Sequence, residues 1–206
     1  MKNYLIYALI LLCLILSLNT QYTYAQYPYT HRVDAVAKDM SFSVLRGADV
    51  FMTLSNVENE LGNQDIVWTD GTPLTEREYS RIVIGDIDVS GFYRAIRETF
   101  SEEEYKVLET NKDRMEVILT GSPTGQILEI TWMINVTPRT DAITPDQFAL
   151  FEQNIKKYVT YTVTEDMKKL QFFRAIHNLN FGMLGVSYFK AELNPGDRSD
   201  SLQTHE

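Results

Sequence analysis

MEVILTGSPTGQILEITWMINV, residues 115–136, is the stretch on which the fold turns. Met115, Val117 and Leu119 alternate with more polar neighbours and run into Gly121-Ser122-Pro123-Thr124-Gly125. Beyond that turn Leu128, Ile130, Trp132, Ile134 and Val136 alternate with Glu129, Thr131 and Asn135. A period of two places successive side chains on opposite faces of a strand, so both runs are apolar on one side only. Two such runs around a turn rich in Gly and Pro predict a β-hairpin with a single buried face.

C-terminal to the hairpin, Thr144-Pro145-Asp146-Gln147 has the spacing of a capped helix start, with Pro at the first helical position. Phe148, Phe151, Ile155 and Tyr158 form its expected buried stripe, while Glu152, Lys156 and Lys157 are expected to face water. Residues 158–163 then alternate as a strand of β-branched and aromatic residues. Residues 167–181 fit two periods. Met167, Leu170, Phe173, Ile176 and Leu179 step by three as in a helix, whereas Phe173, Ala175, His177, Leu179 and Phe181 step by two as in a strand. Residues 184–193 read as a last strand, ahead of a flexible polar tail over residues 195–206.

On the N-terminal side, Phe92, Ala95, Ile96 and Phe100 recur at helical spacing. Ser101 with Glu104 then forms a second helix start, so residues 88–112 read as helical. Asp88 or Ser90 is the expected cap of the first of these helices. Thr75 with Glu78 repeats the capping pattern, and Gly62-Asn63 and Thr69-Asp70-Gly71-Thr72-Pro73 mark turns. Phe42, Val44 and Val50-Phe51-Met52 predict short strands, and residues 26–40 an extended arm without periodicity.

The first 25 residues differ in kind. Lys2 is followed by an apolar run containing Leu5, Ile6, Leu9, Ile10, Leu11, Leu12, Leu14, Ile15 and Leu16. A polar patch leads to Thr23-Tyr24-Ala25, with small residues at the −3 and −1 positions of a cut between Ala25 and Gln26. Charge, apolar core and small-residue exit in that order read as a secretory signal peptide. The run is shorter than the roughly 20 residues of a membrane-spanning helix. Cys13 follows Leu12 in mid-run, which is the wrong place for a lipid-anchored cysteine. The expected organisation is therefore a signal at 1–25, the arm at 26–40, one α+β domain at 41–194 and the tail. The localisation expected is periplasmic or extracellular, in a bacterial cell envelope, with no stable membrane anchor after the signal is removed.

Composition narrows the chemistry. Cys13 is the one cysteine, so the exported body carries no thiol for a disulfide, a zinc site or a Cys nucleophile. The formal charge is −9, and loss of Lys2 makes it one unit more negative. Lys156-Lys157 and Lys168-Lys169 are too short for the basic stripe that a phosphate backbone rewards, so nucleic acid is not an expected partner.

The sequence has no Gly-x-Ser-x-Gly elbow, phosphate loop or dinucleotide fingerprint. His31, His177 and His205 lack neighbours at metal-pair spacing. No catalytic, cofactor or metal residue is therefore assigned. The one alternative site is acidic: Asp86 and Asp88, two apart on an extended segment, would place carboxylates roughly 6 to 7 Å apart on one face. With Glu102, Glu103 and Glu104 they carry a hydrolase or carbohydrate-active reading. The competing reading is a helix entry at Asp88 and first-turn carboxylates facing a helix dipole at residues 102–104.

The order hairpin, helix, strand over residues 115–163 resembles the C-terminal domain of TonB-type energy transducers. That resemblance implies a further strand over residues 172–181 and a sheet edge that accepts an extended partner. The chain lacks the Pro-rich linker of those transducers, since its six prolines are scattered. It is also similar to short exported proteins of Bacteroides-type bacteria without assigned function, down to the Ala25-Gln26 junction. The expected product is an α+β protein with an antiparallel sheet built on the hairpin and helices on one face. Its expected role is binding an envelope protein or extended peptide, without catalysis or cofactor.

Overall fold

The hairpin predicted from residues 115–136 occupies the middle of the sheet. The computed structural model describes residues 34–46, 51–135 and 143–182. Its strands are β1 (Asp34–Val36), β2 (Ser41–Arg46), β3 (Phe51–Asn56), β4 (Arg114–Gly121), β5 (Ile127–Asn135) and β6 (Phe173–Asn180). All neighbours are antiparallel, in the order β1-β2-β3-β5-β4-β6. The helices are α1 (Glu76–Tyr79), α2 (Val89–Thr99), α3 (Glu102–Asn111) and α4 (Pro145–Tyr158), with a 3-10 turn at Met167–Lys169. The fold is α+β, as the alternation predicts.

Alternation determines the two faces of the sheet. Val117, Leu119, Ile130, Trp132 and Ile134 are buried on one face, joined by Phe42, Val44, Met52 and Leu54 from the flanking strands. The opposite side of β4 and β5 carries Glu116, Ile118, Thr131 and Met133, which are half-buried. The hairpin turn is closed by Ser122 N donating to Gln126 O at 2.8 Å and Gly125 N to Ser122 O at 2.9 Å. Gly125 sits at φ +83°, and a Cβ there would lie 2.3 Å from Tyr161 O, so this turn requires glycine. A register shift at Thr120/Gly121 pairs Thr120 with Glu129 and Gly121 with Ile127. Leu128 is the extra residue of that bulge, which leaves it partly exposed and puts Ile127 in the core instead.

Aromatic rings fasten the helices to the buried face. Trp132 stacks on Phe151 of α4 at 5.1 Å between centroids and lies 5.3 Å from Phe148. Phe151 meets Phe92 of α2 and Phe100 edge-on at 6.2 and 5.4 Å. Phe100 and Tyr105 of α3 each meet Phe181, just past β6, at about 6 Å. Each such side chain is worth roughly 1.5–3 kcal/mol of burial, with more for favourable ring geometry. Gly91 lets α2 approach the end of α4, because a Cβ at this position would lie 2.0 Å from Tyr158 O.

The predicted caps are present. Ser101/Glu104, Thr75/Glu78 and Thr144/Gln147 each close a reciprocal capping box, and Asp88 caps α2. The helical reading of residues 88–112 resolves into α2 and α3, broken at the extended Phe100. The 167–181 ambiguity resolves to strand. Ile176 is 62% exposed whereas Phe173 and Leu179 are buried, which is period two and not three.

Two expectations fail. Residues 158–163 are not a strand. Helix α4 runs through Tyr158, and the short extended piece beyond makes only isolated bridges, Thr160 with Gln126 and Tyr161 with Ile87. The hairpin–helix–strand order over residues 115–163 therefore does not hold, the strand that follows α4 being β6, and the resemblance to the TonB C-terminal domain is not shown. Glu152 does not face water but is fully buried, because the buried arc of α4 is wider than the Phe148, Phe151 and Ile155 stripe and extends past position 152 to Ala149.

Strand β1 lies within the segment read as an arm. The 1–25 signal with its Ala25-Gln26 junction, the 184–193 strand and the 195–206 tail lie outside the described residues. No helix among the described residues is long and apolar enough to cross a membrane.

Replacing Trp132 with Asp is expected to destabilise the domain by about 4 kcal/mol or more, since it strands a carboxylate against Phe148 and Phe151. Thermal or denaturant unfolding measures this, and an unchanged melt would mean the sheet faces are assigned backwards.

Candidate functional site

Both long sides of the hairpin are occupied, β5 by β3 and β4 by β6. Among the described strands the edges of the sheet are therefore β1 and β6. Strand β1 has three residues, a length that offers little to another chain. Strand β6 has eight.

In an antiparallel pair, alternate residues point their backbone groups at the partner and away from it. Arg174 points away from β4, and its two outward groups are both taken by one hydroxyl. Arg174 N donates to Tyr79 Oη at 3.1 Å, and Tyr79 Oη donates to Arg174 O. The Arg174 guanidinium in turn donates to Leu61 O and Gln64 O, tying the loop before α1 to the start of β6. Glu129 holds the same loop by accepting from Glu60 N and Leu61 N at 2.6 and 2.8 Å. The edge is thus closed at Arg174. By the same alternation Ile176, Asn178 and Asn180 present their backbone groups outward, and no described strand lies against them.

Two clefts flank this open length. On the helix side an open cleft of about 240 Å³ is lined by Ile87, Val89, Phe92 and Ile96 with His177 and Leu179 of β6. On the other side about 280 Å³ is lined by Arg114, Glu116, Met133, Asn178 and Asn180. His177 Nε2 is hydrogen-bonded to Tyr161 Oη. Burial holds the imidazole below its ordinary pKa and pushes the Tyr161 phenol up, which favours the uncharged form of both groups. The helix-side cleft is therefore uncharged and largely apolar.

The acidic alternative falls elsewhere. Asp86 is exposed, and Asp88 Oδ1 accepts from Ser90 N and Ser90 Oγ at 3.0 and 2.6 Å as the α2 cap. Between them, Ile87 bridges to Tyr161. Glu102, Glu103 and Glu104 are exposed in the first turn of α3, where Glu104 closes the capping box and accepts from Gln147 Nε2 at 2.8 Å. Ser122 lies in the hairpin turn, where its hydroxyl bonds to Thr124. Among the described residues no three His, Cys, Asp or Glu side chains converge as a metal site.

Sequence reasoning missed two participants. Tyr79 sits at the end of a one-turn helix, and nothing in its surroundings marks it as the residue that closes a sheet edge. Glu152 carried a usable signal in its helical position. It accepts from Lys156 Nζ at 2.7 Å and Asn56 Nδ2 at 3.4 Å on Oε1, while Oε2 has no hydrogen-bond partner among the described residues. Burial raises its pKa against the opposing pull of Lys156 and Asn56, and the Glu129 charge adds to the rise.

No family model matches the chain, and no curated protein matches it. Among solved structures it is similar to a DUF5043 family protein from Bacteroides uniformis ATCC 8492. The two share 17% identity at a TM-score of 0.59, covering 74% of this chain and 86% of that one. At that identity the likeness is one of fold.

A carboxyl that holds its proton more tightly when folded contributes most stability below the ordinary Glu range, and loses it as pH rises through the folded value. Glu152→Gln is accordingly expected to be more stable than the native chain at pH 8, by about 1 kcal/mol, with the gap closing towards pH 4. Denaturant unfolding across that range tests it, and a variant that loses ground as pH rises would contradict the assignment.

Proposed function

We propose that this chain is an exported, non-catalytic protein of the bacterial cell envelope that binds a partner protein or peptide through the edge of β6. The observation that carries the reading is the contrast along that strand. Its outward groups are closed by Tyr79 at Arg174, yet the outward groups of Ile176, Asn178 and Asn180, on the side away from β4, face no described strand. An open edge offers backbone donors and acceptors to an extended segment, which is one of the recurring modes of peptide recognition.

Export is supported by the leader-like first 25 residues, the thiol-free body and the acidic charge. The hydrolase reading has less support, because Asp88 is spent as a helix cap and Asp86 is exposed beside it.

The chain isolated from its native cell is expected to begin at Gln26 and to fractionate with the envelope. N-terminal sequencing of that material is the check, and a chain starting at Met1 in the cytosol would remove the envelope reading.

A further inference from the structure

The two clefts beside β6 restrict what the edge accepts. An added strand places each side chain on the same face as the residue it pairs with. A residue opposite His177 or Leu179 enters the helix-side cleft against Ile87, Val89, Phe92 and Ile96. A residue opposite Asn178 enters the other cleft, where Arg114 and Glu116 supply one charge of each sign and Asn178 and Asn180 supply amides. Because Asn178 and Leu179 line both clefts, adjacent side chains of one extended segment fill them together.

We propose, resting on the edge-binding reading, that the partner presents an extended segment of about five residues whose side chains alternate polar and apolar. A large apolar side chain fills the helix-side cleft, and an uncharged hydrogen-bonding side chain lies opposite Asn178. The apolar requirement follows from the cleft lining and from His177, whose Nε2 is already engaged by Tyr161. A charge brought to that cleft meets no opposite charge there and pays full desolvation.

Length argues against a second copy of this chain. The length of β6 that faces no described strand spans roughly 17 Å at about 3.4 Å per residue. A stable interface between two folded proteins needs about 800 Å² from each, or 20–30 residues a side. A strip of five residues falls short of that, whereas a flexible segment that also fills both clefts gains contact from its own side chains.

The test uses the full chain and end-blocked fluorescent peptides of the type Thr-Leu-Thr-Val-Thr, an all-threonine version, and one with aspartate in place of leucine. Fluorescence anisotropy is expected to show the leucine peptide binding at least about tenfold more tightly than the aspartate one. Val89→Trp, which fills the helix-side cleft, is expected to erase that preference yet retain the all-threonine peptide. Ile176→Pro removes an outward N–H without touching the β4 ladder and is expected to abolish all binding. Equal affinities that remain sensitive to Ile176→Pro would overturn the side-chain preference and leave the edge reading intact. Absence of binding by every peptide would overturn both. A photo-crosslinking amino acid in place of Ile176 identifies the occupant: a crosslink to the peptide supports the proposal, and one to a second copy or within the same chain overturns it.

Discussion

The stacking of Trp132 on Phe151 and Phe148 is the contact from which the remaining arrangement follows. Trp132 is at the centre of the sheet, and its ring fixes which side of the hairpin takes α4. Because side chains alternate strictly, that one choice assigns every other residue on β4 and β5 to a face. Helix α4 in turn seats α2 through Phe92 and Gly91, and Phe100 and Tyr105 extend the aromatic contacts to Phe181 at the end of β6. The position of β6 therefore depends on a packing decision made two strands away.

Much of this was legible in the residues. The hairpin, three capping boxes and the stripe Phe92, Ala95, Ile96 and Phe100 are local signals, because a strand or helix start needs only its own few residues to declare itself. Glu152 and residues 158–163 show where local reading misleads. A charge predicts exposure on average, yet position 152 lies on the buried arc and has Lys156 and Asn56 to meet it. Residues 158–163 have strand-forming composition, but α4 extends through Tyr158 and the piece that remains bonds to Gly125 and Asp88 instead of to a neighbouring strand.

The candidate site was less legible, for a physical reason. A strand's period reports that it is half-buried and says nothing of whether its second side has a neighbour. Ile176 is a β-branched apolar residue that the helical period would place in a core, and it is exposed because it lies off the buried face of β6, the last strand among those described. The closure of the edge at Arg174 joins Tyr79 to a residue 95 positions away. Contacts of that kind appear only once the fold has brought the two ends together.

The outward side of β6 beyond Arg174 faces no described strand, and the proposed binding mode requires that side to be free. Amide hydrogen exchange on the full chain tests it residue by residue. Protection is expected at Ala175 and His177, whose amides face β4, and fast exchange at Ile176 and Asn178. Equal protection along all four would show that another segment already occupies the edge, and that β6 is not free to bind a partner.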